Sequence, residues 1–159
     1  MKTRSLFAAN TTVTVGASKD DLDQLMRRYG CTGKAVLEDN SMVAIIFHSH
    51  GRRVRFMFKE VGKQDFPGQP KRGKRLDPKK WAEQETRRLW RLEIMTIQVC
   101  LEQVEAGKDF DVVFAGYIVD PRSGRTLGEL LKPGLDQLYL PGALGDIMQI
   151  AAQAGPSGK

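Results

Sequence analysis

The chain has 159 residues, 41% of them hydrophobic and 28% charged, with a formal net charge of +6 and a pI near 9.5. That length and balance suit one globular domain with its own core and exclude a disordered polymer. Two cysteines, Cys31 and Cys100, exclude a disulfide framework, and the lack of any run of about eighteen apolar residues excludes a transmembrane helix.

Met1–Asn10 carries Lys2 and Arg4 around a brief apolar stretch, too short for a secretory leader, and reads as a flexible N-terminus in a cytoplasmic protein. Thr11–Val15 is β-branched and alternating, so it predicts a first strand. Ser18 and Asp21 have capping-box spacing, and Leu22, Leu25, Met26 and Tyr29 recur at helical spacing up to Gly30. Asp39–Asn40–Ser41 and His50–Gly51 then divide three strands: Lys34–Glu38, Met42–His48 and Arg52–Val61. The middle one is apolar on both faces, which predicts a central strand covered on two sides. In the third, Val54, Phe56 and Phe58 share one face while Arg53, Arg55, Met57 and Lys59 share the other.

Lys63–Leu76 holds two prolines, two glycines and dense charge, so it reads as an exposed loop within a basic segment spanning 62–77. Asp77 and Pro78 supply a cap and a first-turn proline, and the helical pattern from there runs unbroken to Gly107. About 29 residues of helix would span roughly 43 Å. Its first turns are polar apart from Trp81. Its centre, Leu89 to Leu101, is apolar on more than one side, which predicts packing between layers or a shared interface in a homo-oligomer. "FDVVFAGYIV" fits a strand by β-branching and a short helix by the spacing of Phe110, Phe114 and Tyr117. Thr126 and Glu129 form a second capping box, opening a helix through Leu131 that Pro133 should end. Residues 135–150 read as short apolar packing that folds back over the long helix, or else leaves it to a second copy, and 151–159 as a disordered tail. The expected architecture is therefore one α+β domain over 11–150, with an antiparallel sheet of three to five strands on one long helix and short accessory helices.

No constellation names a covalent chemistry, so a binding role is expected before an enzymatic one. His48 and His50 would share one side of a strand, but neither cysteine is near in sequence and a structural zinc needs four ligands, so no metal or other cofactor is expected. There is no G-x-S-x-G and no Walker loop. Glu83 and Arg87 have the spacing of a helical ion pair.

The charge distribution says more than its sum. Arg52–Arg91 holds fourteen Lys or Arg against five Asp or Glu, so the rest of the chain is slightly acidic. Arg53, Arg55 and Lys59 form a row on a strand. Lys71, Arg72, Lys74 and Arg75 form an arm, and Lys79, Lys80 and Arg87 decorate the following helix. Phe66 and Trp81 are nearby rings on which bases could stack. A positive surface with aromatic platforms suits single-stranded nucleic acid, DNA first, bound without sequence-specific readout. The plain alternative is a solvated basic surface with the rings in the core. The other functional class is an interaction module whose host-protein partner presents an acidic face.

His50–Gly51–Arg52 with Val54 and Phe56, then Glu105–Gly107 and Gly124–Thr126, resemble segments of small proteins encoded by phages and prophages. The likeness covers Thr11 to Pro133 and implies an origin more than an activity; for an interaction module it implies a phage-encoded inhibitor of a host enzyme. A strand meander followed by one long helix is also similar in layout to phage single-strand annealing proteins. That layout implies a ring-forming DNA binder with an annealing or recombination accessory role.

Overall fold

The computed structural model describes residues 6–69 and 75–139. Helix α1 (Val15–Arg28) leads into strands β1 (Thr32–Asp39), β2 (Met42–Ser49) and β3 (Arg52–Lys59). A 3-10 turn (Lys63–Asp65) follows, then the long helix α2 (Pro78–Glu105), the one-turn α3 (Phe110–Val113) and α4 (Leu127–Leu138). The fold is α+β, with an antiparallel sheet in the order β1-β2-β3.

Both hairpins turn on two left-handed residues, Asn40–Ser41 and His50–Gly51, which match the twist of the strands they join. The resulting register sets Val43, Ile45 and Phe47 opposite Phe58, Phe56 and Val54 on one face. Against that face pack Leu22, Leu25 and Met26 of α1 and Trp90, Ile94, Ile97 and Leu101 of α2. Phe114 fills the end of the core, edge-on to Phe47 and Phe56 at 6.3 Å. Helix α2 starts and stops where its end residues require. The Asp77 carboxylate accepts from Lys79 N–H (2.9 Å), and Gly107 takes a left-handed φ of 94° just past the end.

Several expectations are corrected. Thr11–Val15 is not a strand. Thr14 caps α1 by accepting from Ala17 N–H (3.1 Å), and the Gln84 side chain donates to the Ala9 and Thr11 carbonyls, so this backbone is satisfied without a sheet. The same bonds tie the Ala9 and Thr11 carbonyls to α2. Ser18, expected as the cap, is instead buried in the first turns of α1. β2 is central but covered on one face only: Ala44, Ile46 and His48 are half-buried on the other. Helix α2 buries a single stripe, and on its outer side Leu92 and Met95 stay half-buried and Val99 exposed, beside Phe7. Glu83 and Arg87 form no ion pair; the helical pair is Glu85 with Arg88.

"FDVVFAGYIV" divides. Asp109 caps α3, and Ile118 and Val119 bridge to β3 and to Thr126, with Arg55 N–H donating to the Tyr117 carbonyl (2.9 Å). Helix α4 runs through Pro133 instead of ending there. Proline has no N–H to offer the carbonyl four residues back, and the Arg125 guanidinium donates to that Glu129 carbonyl in its place (2.8 Å).

Candidate nucleic-acid interface

The alternation of β3 sends Arg53, Arg55, Met57 and Lys59 away from the helices, onto the uncovered face of the sheet. The three cations differ in their partners. Arg55 donates to the Glu129 carboxylate (2.8 Å) and the Gly124 carbonyl (2.9 Å), so it fastens α4 to the sheet edge. Lys59 reaches Asp65 (3.3 Å). Arg53 donates to His48 Nε2 (3.2 Å) and has no carboxylate partner among the described residues. Lys59 is six positions on from Arg53, about 20 Å along the strand. The expected row is thus one free cation at one end and one paired cation at the other.

The helix cations lie on the opposite side of the sheet. The chain leaves β3, passes Val61 and makes the 3-10 turn, which brings Lys63 beside the first turns of α2. Thr86 donates to the Val61 carbonyl (3.3 Å), holding the two segments together. Asp65 accepts from Gly62 N–H (2.9 Å) and from Lys59, and these bonds, Gly62 first, hold its carboxyl below the usual carboxylate range. The result is a cleft of ≈ 720 Å³ between the start of α1, the segment after β3 and the base of α2. Lys63, Lys79 and Arg87 line it with Thr14 and Val15, and Glu83 is the single acid in its wall. None of these three cations has a carboxylate partner among the described residues. Elsewhere Lys19, Lys34, Arg28, Arg52, Arg88 and Arg91 are paired, while Arg27, Lys108, Arg122 and Lys132, which are scattered, lack a carboxylate partner among the described residues. The first turn of α1, which opens here, contains no acid, so its positive end is uncompensated.

Arg75 and Lys80 are exposed close by in the chain. Gln69 clamps the ends of the basic arm, donating to the Leu76 carbonyl (2.8 Å) and accepting from its N–H (2.9 Å), so the arm leaves and returns at one place at the base of α2. Lys71, Arg72 and Lys74 lie outside the described residues. Phe66 and Trp81 meet edge to face at 5.5 Å, each half-buried, so each ring spends part of its surface on the other.

The structure therefore brings together Lys79 and Arg87 of the expected set, keeps Lys59, Arg75 and Lys80 at the same end, and sets Arg53 and Arg55 apart. Lys63 was missed. It belongs to the basic stretch, but only the turn after β3, which sequence spacing does not reveal, places it against α2.

Other chemistry-bearing groups are dispersed. His48 packs over Gly33 and accepts from Arg53, while His50 stacks on Phe110 (4.5 Å), so the two imidazoles serve different partners. Burial raises the thiol pKa of both Cys31 and Cys100. Among the described residues no group of three or more His, Cys, Asp or Glu is placed to hold a metal, and no helix is long and apolar enough to cross a membrane. Comparison of the chain with protein families, with curated proteins and with solved structures finds no match.

Proposed function

We propose that this protein binds single-stranded nucleic acid, DNA in the first instance, through phosphate contacts and without covalent chemistry, with strand annealing as the accessory activity to assay. One observation carries the reading: Lys63, Lys79 and Arg87, drawn from two segments, share a cleft in which a single carboxylate opposes them. Cations left unpaired and convergent raise the local potential in a way that scattered, paired ones do not. Lys59, Arg75 and Lys80 extend the positive end, and Lys71, Arg72 and Lys74 add to the charge of the chain between the hydrogen-bonded Gln69 and Leu76. The half-exposed rims of Phe66 and Trp81 offer apolar surface to a splayed base. Arg55 belongs to the support of α4, not to the contact surface.

The test is fluorescence anisotropy of a labelled oligothymidylate and of a duplex of equal length, at low salt, with the wild type and a Lys63→Ala, Lys79→Ala, Arg87→Ala variant. Single strand bound more tightly than duplex, with the variant at least tenfold weaker and still folded, supports the reading. Micromolar protein that leaves the anisotropy of both probes unchanged overturns it, and an acidic protein partner then becomes the reading to pursue.

A further inference from the structure

Helix α4 is held only at its start. Its capping box closes through Thr126 and Glu129, Leu127 N–H donates to the Ile118 carbonyl (2.8 Å), and Gly128 N–H to the Gly116 carbonyl (3.2 Å). The helix carries Leu130, Leu131, Leu135 and Leu138 at helical spacing, with Tyr139 as its C-cap, and none of its residues is buried. Leu131 is 58% and Leu135 49% exposed. An amphipathic helix of this kind is stabilised mainly by covering its apolar stripe, which nothing among the described residues does.

The same molecule has a second uncovered apolar surface. On the sheet face turned from α1 and α2, Leu37, Ala44 and Met57 line up across the three strands, with Met42 beside them. Leu37 is 56% and Met57 46% exposed. The chain's own α4 does not reach this surface. Its pinned first turn stands at the outer edge of β3, where Glu129 bonds Arg55 and lines a pocket of ≈ 300 Å³ with Met57 and Lys132, while Leu131 and Leu135 stay exposed. One surface is a ridge about 18 Å long; the other is a strip three strands wide, about 10 Å across.

We infer that a second copy of this chain covers both surfaces, the α4 of each copy lying on the open sheet face of the other in a two-fold dimer. Two exposed apolar surfaces that do not meet among the described residues of one chain suit such an exchange, and two-fold symmetry satisfies both at once. The exchange doubles the contact, bringing two helix-on-sheet patches toward the roughly 800 Å² per partner of a stable interface. At the rim, Asp136 on α4 and Arg53 on the sheet face each lack an ion-pair partner among the described residues and offer one pair of opposite charge, with Lys132 nearby carrying the same sign as the sheet. The apolar side of α2 is a poorer place for a partner, because Phe7 already lies beside Leu92, Met95 and Val99. The cleft at the base of α2 lies on the other side of the sheet from this interface; of the nucleic-acid surface only Lys59, opposite Met42 in the register, borders both.

Sedimentation equilibrium of the full chain across 1–100 µM (a range of order suited to a micromolar dimer) tests it, with Leu135→Lys and Met57→Glu as single variants. The wild type is expected at twice 17.8 kDa, and each variant at 17.8 kDa with a cooperative melt, its dimer weakened on the order of a hundredfold. An equimolar mixture of the two variants is expected to recover the dimer, since one of the two contacts then opposes Lys to Glu and the other is wild type. A wild-type monomer overturns the inference, as does a dimer that neither substitution weakens, or variants whose mixture stays monomeric. A monomer that dimerises only after deletion of 140–159 also overturns it, by showing that this chain's own C-terminal segment is what covers the surfaces.

Discussion

Trp90→Phe should be among the most damaging single substitutions of α2, although it keeps an aromatic ring. Trp90 is fully buried, its Nε1–H donates to the Glu60 carboxylate (2.7 Å), and its ring meets Phe58 edge to face at 5.2 Å. Glu60 is itself fixed just past β3, where its N–H donates to the Ser41 carbonyl (2.7 Å). The indole N–H therefore joins α2 to the end of the β2–β3 hairpin. Losing a hydrogen bond to a charged acceptor costs about 1.5–3 kcal/mol. The smaller ring leaves roughly 40 Å³ empty, which at ~24 cal/mol per Å³ adds about 1 kcal/mol. A loss of about 3 kcal/mol is a large share of the 5–15 kcal/mol typical of a domain. Urea unfolding followed by circular dichroism should show the midpoint lowered by about 1.5 M with an unchanged slope. A cycle with Glu60→Ala should give a coupling above about 1 kcal/mol, since the two groups form one contact. A midpoint within about 0.2 M of wild type, or a coupling of zero, would refute the argument.

Two other substitutions probe different parts. Glu93 is half-buried, and burial raises its pKa in the folded state. Its ionised form therefore opposes folding, and stability tied to this group is present at low pH and lost as pH rises through the folded pKa. Glu93→Gln should melt higher than wild type at neutral pH, with the advantage shrinking as pH falls through that value and vanishing below the ordinary glutamate range; a pH-independent difference would contradict the assignment. At Gly128, a Cβ would sit 2.7 Å from the Gly116 carbonyl oxygen, so Gly128→Ala must move the start of α4. A cost of about 1–3 kcal/mol is expected, with faster amide exchange across 127–138, and exchange identical to wild type would show that the contact is not held.

Much of the fold is legible in local chemistry. The ends of α2 follow from Asp77, Pro78 and Gly107, and the two hairpins from Asn40–Ser41 and His50–Gly51, because caps and left-handed turns are decided within a few residues. Long-range partners decide the rest. Thr11–Val15 has the propensity of a strand, but Gln84, over seventy residues away in the chain, supplies hydrogen bonds that a sheet would otherwise provide. Pro133 reads as a stop until Arg125 satisfies the carbonyl it orphans. At the candidate site, composition marks the basic stretch correctly but cannot rank its members. Arg55 and Lys63 look alike in sequence; one is bound to Glu129, and the other stands in the cleft.

The salt dependence of binding tests the central claim most directly. With Lys63, Lys79 and Arg87 each on a phosphate, log affinity for a single strand should fall linearly with log salt, and replacing all three by Ala should make the slope shallower by about 2, at ~0.7 per phosphate. Parallel slopes for a folded triple variant and the wild type would mean that the cleft does not hold the strand.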